Sequence, residues 1–147
     1  MFTLRLAHPE DLAVVLPRTA ALNAHEAITL EPAALETALA KLLGDDALGR
    51  LWLVLSDGVP VGYALVTFGY DLEFNGREAW LTELWIDEDA RGSGAGQRAL
   101  ELLVPELRAL GVRAMHLQVR PDNPARRLYE RNGFTTVPRV IMSKRLV

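Results

Sequence analysis

A glycine-rich segment in the middle of the chain has the composition of an anion-binding loop. Residues 91–96 read Arg-Gly-Ser-Gly-Ala-Gly, after a strand pattern and before a helical pattern. Glycines let backbone amides approach a ligand closely, and the free amides at the start of a helix attract phosphates. Arg91 can add a charge-assisted contact. The segment predicts a pyrophosphate site, and a glycine-rich turn without a ligand is the alternative.

Two other phosphate-binding motifs do not fit the spacing of this loop. A P-loop ends in Gly-Lys-Ser/Thr, whereas Gly96 is followed by Gln97 and Arg98. A dinucleotide fingerprint needs a glycine at the position of Gln97. The spacing therefore disfavours a nucleotide-binding domain.

A carboxylate ahead of the loop has the chemistry of a general base. Strand alternation predicts that Leu81, Glu83 and Trp85 share one face of a strand. Apolar neighbours would desolvate the carboxylate of Glu83 and raise its pKa, which suits a base acting near neutral pH. A solvent-exposed or ion-paired glutamate is the alternative.

The last helical pattern, residues 124–131, carries a tyrosine and follows an asparagine. Tyr129 lies four residues after Ala125, so the two share one helix face. Asn123 is of a type favoured at helix N-caps. Both residues have plain structural interpretations, a tyrosine at the edge of the core and a capping asparagine.

Taken together, these segments resemble the GNAT superfamily of N-acetyltransferases. The Arg-Gly-x-Gly-x-Gly loop is similar to the acetyl-CoA signature of that superfamily, and residues 123–134 are similar to its second conserved block. Residues 81–134 carry the resemblance strongly and residues 1–80 only weakly. It implies transfer of the acetyl group of acetyl-CoA to a primary amine of a small molecule or peptide, by direct attack in a ternary complex. An acyl-CoA-binding module without turnover is the alternative.

The resemblance also implies roles for individual residues. Glu83 would be the general base, and Tyr129 would protonate the departing CoA thiolate. The main chain of residues 84–86 would bind the pantetheine arm and the oxyanion, and the amides of residues 92–97 would hold the pyrophosphate. The cofactor-binding residues implied in this way are Leu84, Trp85, Ile86, Arg91, Gly92, Ser93, Gly94, Ala95, Gly96, Gln97, Asn123, Ala125 and Tyr129.

The acceptor and the oligomeric state are less defined. The resemblance implies that residues 23–30 and 70–80 shape the acceptor pocket. These regions contain four acidic residues, and a pocket formed by them would suit a cationic amine such as a polyamine, an amino sugar or a peptide N-terminus. A solvent-exposed surface is the alternative for most of the four. The four are Glu26, Asp71, Glu73 and Glu78. Dimerisation through C-terminal strands is common in the superfamily, and the apolar residues 137–147 permit a homodimer.

Hydrophobic patterning predicts the elements that position these residues. The predicted strands are residues 2–7, 51–55, 59–68, 78–86 and 112–119, with one or two more from residue 134 onward. The predicted helices are one after residue 11, then residues 31–43, 94–110 and 124–131. Pro17 predicts a kink or break in the first helix, and Asn75-Gly76 predicts a turn.

This element order predicts an α/β domain around a single mixed, mostly antiparallel sheet with flanking helices. The strand–helix–strand segment from Leu81 to Val119 is long enough for a right-handed crossover, which places its two strands parallel.

Length and composition set outer limits on the class of protein. The 147 residues predict one domain, and the absence of cysteine excludes a disulfide scaffold, a cysteine-ligated zinc site and a cysteine nucleophile. The net charge of -3 argues against nonspecific nucleic-acid binding. No metal-binding spacing, membrane-spanning run or secretory signal occurs in the sequence, so we expect a metal-independent cytoplasmic protein.

Overall fold

A single five-stranded sheet organises the computed structural model, which describes all 147 residues. The strands lie in the order of the chain: β1 (Phe2–Leu6), β2 (Arg50–Ser56), β3 (Val59–Asp71), β4 (Gly76–Ile86) and β5 (Val112–Leu117). The first four strands are antiparallel, and β5 runs parallel to β4. The predicted mixed, mostly antiparallel sheet is confirmed.

Four helices flank the sheet: α1 (Leu12–His25), α2 (Pro32–Leu43), α3 (Ala95–Ala109) and α4 (Ala125–Arg131). Local sequence explains where they begin and end. Glu31 caps α2 by accepting from the amide of Ala34 at 2.9 Å, and Pro32 occupies the first helical position. After α3 the chain turns at Gly111, whose φ of 79° favours glycine. α3 is the crossover that makes β4 and β5 parallel.

Each face of the sheet carries its own hydrophobic core. On one face, residues of α1 and α2 such as Val15 and Leu39 pack with Leu53 and Tyr63 of the sheet. On the other face the core consists of Trp52, Ala64, Val66, Ala79, Leu81, Leu100, Leu103 and Leu107. Consecutive residues of β3 therefore point to opposite cores, as a pleated strand requires.

Helix α1 is continuous across Pro17, so the predicted break does not occur. Pro17 is the sixth residue of the helix, and the first four amides of any helix have no intrahelical partner. The proline therefore removes a backbone bond close to the helix start, where few bonds are disturbed.

The connection from β3 to β4 differs from a two-residue turn. A short 3₁₀ helix, Leu72–Phe74, follows β3, and Asn75 adopts a left-handed conformation with φ of 59°. Asp71 stabilises this helix because its Oδ1 accepts from the amide of Glu73 at 2.8 Å. Asn75-Gly76 still marks the end of the connection, since Gly76 begins β4.

The predicted strands after residue 134 are wrong. Residues 135–147 are exposed, carry no regular secondary structure and pair with no strand of the sheet. A β-strand is stable only when its amides and carbonyls pair with a neighbour, which apolar composition alone does not provide. Large apolar side chains such as Val140 and Met142 are consequently left in solvent.

None of the helices has the length and apolar character needed to cross a membrane. The expected cytoplasmic location stays a prediction.

Candidate functional site

Pairing between β4 and β5 stops partway along β4, which leaves a gap between the two strands. Residues of β4 from Arg77 to Leu81 pair with β5, whereas residues 82–86 have no partner on that strand. The edge of β4 that faces β5 is therefore free over its last five residues. At the end of this edge the carbonyl of Ile86 accepts from Nε of Arg91 at 2.9 Å. The free edge offers main-chain groups to an extended ligand.

The glycine-rich loop at the end of the gap presents a row of free backbone amides. The amides of residues 92–97 donate to no carbonyl in the chain, and the first bond of α3 is from Arg98 to the carbonyl of Gly94. Gly92 and Gly94 have φ values of 74° and 87°, which side chains other than glycine rarely adopt. Free amides at a helix N-terminus form an anion-binding site.

The side chains of the loop are used within the protein. The guanidinium of Arg91 stacks over the Trp85 ring at 4.7 Å, and the hydroxyl of Ser93 donates to the carbonyl of Ala90. Gln97 exchanges two hydrogen bonds with Asn132, of 2.8 and 3.2 Å, and so joins α3 to α4. In this loop, Ser93 and Gln97 can therefore bind a ligand mainly through their backbone amides.

Gly96 leaves room for a side chain of α4. A Cβ at this position would lie 3.2 Å from Leu128, and Ala95 is buried at the first position of α3. These two small residues let α4 approach the loop.

A β-bulge in β4 corrects the predicted arrangement of its side chains. Leu65 of β3 pairs with Glu83, but Val66 pairs with Leu81, so Thr82 is an extra residue. Leu81 therefore packs in the α3 core, whereas Glu83 and Trp85 lie on the α1–α2 face. The prediction that Leu81 and Glu83 share a face is wrong, because one inserted residue reverses the alternation.

Glu83 lies in a protected position on the α1–α2 face. Its Oε1 accepts a 2.6 Å hydrogen bond from the hydroxyl of Tyr63, a residue with no exposed surface. Burial raises the pKa of Glu83, and the bond from Tyr63 opposes this rise. The same burial and the nearby carboxylate raise the pKa of Tyr63 far above its ordinary value, so Tyr63 keeps its proton. The net effect suits Glu83 to accept protons near neutral pH.

Tyr129 of α4 lies on the α3 face of the sheet, opposite to the face that carries Glu83. Its ring packs against the α3 core and meets Phe134 edge-on, with ring centroids 5.9 Å apart. Burial is the main cause of its raised pKa, and the negative charge of Glu26 adds to it. The hydroxyl therefore stays protonated at neutral pH and makes no hydrogen bond within the chain.

Asn123 precedes the last helix, whose N-cap position is taken by Pro124. Its Oδ1 accepts from the amide of Ala125 at 2.9 Å, so that amide is occupied. Asn123 therefore satisfies the first helical amide from the position before the N-cap, one residue away from the predicted N-cap position. The side-chain NH₂ of Asn123 keeps its donors available.

The acidic residues expected around an acceptor pocket are instead each engaged with a neighbour. Glu26 faces Arg120, whose Nη2 donates to the Glu26 carbonyl at 3.2 Å and whose Nε lies 3.9 Å from Oε2. Glu73 lies 3.6 Å from Arg139, and Asp71 caps the 3₁₀ helix. These three carboxylates therefore each have a partner within the chain.

The fourth acid, Glu78, belongs to a cluster that the sequence did not indicate. Glu78 Oε2 lies 3.1 Å from Nε2 of His116, and its Oε1 accepts from the Trp80 indole at 3.2 Å. The His116 ring lies between those of Phe74 and Trp80, with centroids 5.3 and 5.0 Å away. Gly69 leaves room for this carboxylate, because a Cβ there would lie 2.9 Å from Oε1.

Sequence reasoning missed Tyr63, and the strand patterns alone could not have found it. Its partner on β4 depends on the extra residue in the bulge. The His116 cluster depends on the parallel register of β4 and β5, which pairs Trp80 with His116. No group of three or more histidine, aspartate or glutamate residues is arranged to hold a metal ion.

Comparison with known proteins defines the family of this chain. Residues 17–134 match the acetyltransferase (GNAT) family, and the chain belongs to it. A segment of 53 residues, 35% of this chain, is 47% identical to mycothiol acetyltransferase of Geodermatophilus obscurus. That match spans only 17% of the mycothiol enzyme.

Solved structures share the fold over nearly the whole chain. An integron cassette protein from the Cole Harbour Salt Marsh metagenome is 28% identical with a TM-score of 0.85, over 98% of this chain and 90% of its own. A predicted acetyltransferase of Clostridium acetobutylicum, solved with acetyl-CoA, is 18% identical with a TM-score of 0.79. It covers 98% of this chain and 96% of its own, and at this identity the likeness concerns the fold.

Proposed function

We propose that this protein is an N-acetyltransferase that transfers the acetyl group of acetyl-CoA to a primary amine. The observation that carries the proposal is the row of free amides at residues 92–97, beside the unpaired edge of β4. These two features offer donors to a pyrophosphate and main-chain partners to an amide-containing arm. Acetyl-CoA has both groups, and no metal is required. A single domain of residues 1–147 would carry the whole site.

In the proposed complex the pantetheine arm lies along residues 84–86 of β4. The pyrophosphate lies on the amides of residues 92–97, and the free NH₂ of Asn123 donates to the arm. The guanidinium of Arg91, the first residue of the loop, stacks on Trp85 in the free protein. Its positive charge would add to the binding of the pyrophosphate. Ala125 acts here as a small residue that lets the arm approach α4.

The proposed reaction is a direct transfer in a ternary complex. Glu83 accepts a proton from the ammonium group of the acceptor, directly or through water, and the free amine attacks the thioester carbonyl. A backbone amide of residues 84–86 stabilises the oxyanion. When the carbon–sulfur bond breaks, Tyr129 protonates the CoA thiolate. The nitrogen of the new amide loses its remaining extra proton, which returns to Tyr129 directly or through water, and Glu83 releases its proton to solvent. The products are an N-acetyl amine and CoA.

The C-terminal segment suggests how a second copy would bind. Several large apolar side chains of residues 137–147 are exposed, and the outer edge of β5 pairs with no strand. Sheet edges of this kind pair with another chain. We therefore propose a homodimer in which the C-terminal segments of the two copies meet. Removal of residues 137–147 should lower the sedimentation coefficient from that of a dimer to that of a monomer.

A turnover assay tests the enzymatic proposal. Purified protein is incubated with acetyl-CoA and a panel of polyamines, amino sugars, amino-acid amides and peptides, and free CoA thiol is measured. We expect thiol release that depends on the amine, with an acetylated amine detected by mass spectrometry. Acetyl-CoA binding without acetylation of any amine would instead support an acyl-CoA-binding module.

A further inference from the structure

An apolar groove with a volume of about 600 Å³ runs between α1 and α2. Its apolar lining consists of Leu16, Ala20, Ala24, Ile28, Leu30 and Leu35. Ile28 and Leu30 are each 48% exposed, so the groove leaves a sizeable apolar surface open. Glu36 is the one charged residue in its walls. A concave site with this lining suits an apolar group.

The side-chain amide of Asn23, in the wall of the groove, has no hydrogen-bond partner within the protein. Asn23 is only 8% exposed, and its backbone carbonyl accepts from the amide of Ile28 at 2.8 Å. Its side-chain amide makes no hydrogen bond in the chain, although it lines the groove. Neither atom of this amide is completely buried, so both can reach a ligand in the groove.

The groove ends beside the proposed reaction site. Asn23 and Ala24 line it, and the next two residues of the chain face the gap. The His25 ring meets Trp85 of β4 edge-on at 6.2 Å, and Glu26 faces Arg120, which follows β5. The negative charge of Glu26 also influences Tyr129. The end of α1 therefore connects the groove to both sides of the gap.

We propose that the groove binds the apolar side group of the acceptor, while the Asn23 amide hydrogen-bonds a polar atom next to the reacting amine. The acceptor is then a primary amine with a large aliphatic or aromatic group, such as an apolar amino-acid residue, rather than a polyamine or amino sugar. This inference rests on the proposed function. It replaces the acidic acceptor pocket expected from the sequence, whose carboxylates are engaged elsewhere.

A comparison of amino-acid amides tests the inference. Leucinamide, phenylalaninamide, serinamide and glycinamide present the same type of amine with different side groups, and spermidine represents the polyamines. We expect kcat/KM for the two apolar amides to exceed that for glycinamide by roughly 10- to 100-fold. Equal or better use of glycinamide or spermidine would overturn the inference.

Two substitutions in α1 distinguish the effect of filling the groove from the effect of placing a large side chain elsewhere on the same helix. Ala20→Trp fills the groove, whereas Ala13→Trp places the same side chain at an exposed position of the same helix outside it. We expect Ala20→Trp to raise KM for leucinamide roughly tenfold more than KM for glycinamide. Ala13→Trp should change none of these quantities. The same KM for leucinamide in both variants would contradict the proposal.

A third variant tests the amide of Asn23. Asn23→Leu keeps a side chain of similar size but removes both hydrogen-bonding groups. We expect a higher KM for leucinamide with unchanged kcat, and an unchanged KM would remove Asn23 from the proposal. Circular dichroism verifies that the variant is folded, and Asn23→Ser, which keeps a hydroxyl, replaces it if it is not.

The outcomes distinguish this inference from the proposed function. Acetylation of amines with no preference for apolar groups overturns the inference and leaves the acetyltransferase proposal intact. If no amine is acetylated, the acetyltransferase proposal fails. Calorimetric titration of leucinamide and glycinamide then still tests the groove, because equal or undetectable binding of the two amides overturns it.

Discussion

The hydroxyl of Tyr63 donates a 2.6 Å hydrogen bond to Oε1 of Glu83. Tyr63 is fully buried in the core beneath α1 and α2, so this donor holds the carboxylate at a defined place on the sheet. Burial and the hydrogen bond shift the pKa of Glu83 in opposite directions, and burial has the larger effect. The carboxylate of Glu83 therefore has a raised pKa and is held in one orientation by the hydroxyl of Tyr63.

Glu83→Gln removes the proposed base and should lower kcat by roughly 10²- to 10⁴-fold. In the unchanged protein only the carboxylate form is active, so kcat/KM falls as pH decreases through the raised pKa of Glu83. This acid limb should disappear in the variant. Glu78→Gln, on the same strand, is the matched control and should keep the acid limb. Normal turnover by Glu83→Gln across the pH range would remove Glu83 from the mechanism.

Tyr63→Phe should move the acid limb of the pH profile to higher pH. The substitution removes the one hydrogen bond that lowers the pKa of Glu83 and leaves the burial that raises it. The fraction of active carboxylate at a given acidic pH therefore decreases. The measurement is kcat/KM against pH, and a limb that stays in place or moves to lower pH would contradict the proposed role of Tyr63.

The sequence predicted the order of the five strands and four helices because their apolar periodicity was strong and their ends carried turn or cap residues. It could not predict the side on which Glu83 lies. The extra residue Thr82 in the bulge has no marked composition, and it reverses the face of every residue after it. Glu83 and Trp85 share a face as predicted, whereas Leu81 lies on the other one.

Gly94→Ala should weaken acetyl-CoA binding by disturbing the free amides of the loop. Gly94 has a φ of 87°, which alanine rarely adopts. No atom lies within 4 Å of the position that an alanine Cβ would take. The substitution therefore acts through backbone strain and not through a steric clash. Gly58→Ala is a matched control with φ of 82° and the same open surroundings, in a turn between β2 and β3. We expect both to lose about 1 kcal/mol of stability. Only Gly94→Ala should raise the Kd for acetyl-CoA, and equal Kd values would argue against the anion site.

Tyr129→Phe should lower kcat by about 10²-fold without changing the Kd for acetyl-CoA. The pKa of Tyr129 is raised, so the unchanged protein loses its proton donor only above the ordinary titration range of tyrosine. Stopped-flow measurement of thiol release gives kcat, and calorimetry gives Kd. An unchanged kcat together with weaker binding would assign Tyr129 to binding alone.

Asp11→Asn tests an ion pair that holds the start of α1 to β1. Both carboxylate oxygens of Asp11 accept from Arg5, at 2.9 and 3.0 Å, and Oδ2 also accepts from the amide of His8. The bond from Arg5 lowers the pKa of Asp11, so its contribution is present above 3.8 and is lost as pH falls toward the lowered folded value. We expect the variant to lose about 1–3 kcal/mol near neutral pH and to show a smaller further loss in acid. Urea unfolding of the unchanged protein and the variant, near neutral pH and in acid, measures these free energies. If both proteins lost the same stability between the two pH values, the ion pair would not have the proposed role.

The parts of the site that lie within one sequence segment were predictable, and those that join segments were not. The loop at residues 91–96 and the hydrogen bond of Asn123 to the start of α4 each follow from local residue types. The contact of Tyr63 with Glu83 and that of Glu78 with His116 depend on strand register, which periodicity does not specify. Residues 137–147 have the composition of a strand, but this fold gives them no partner.

Calorimetric titration with acetyl-CoA is the most direct test of whether the loop and the gap form an acetyl-CoA site. ATP and NAD serve as controls, because both carry phosphates but lack the pantetheine arm. We expect one molecule of acetyl-CoA to bind per chain with a Kd in the micromolar range, and neither control to compete. No binding of acetyl-CoA, or equal binding of ATP or NAD, would show that the loop and the gap do not form this site.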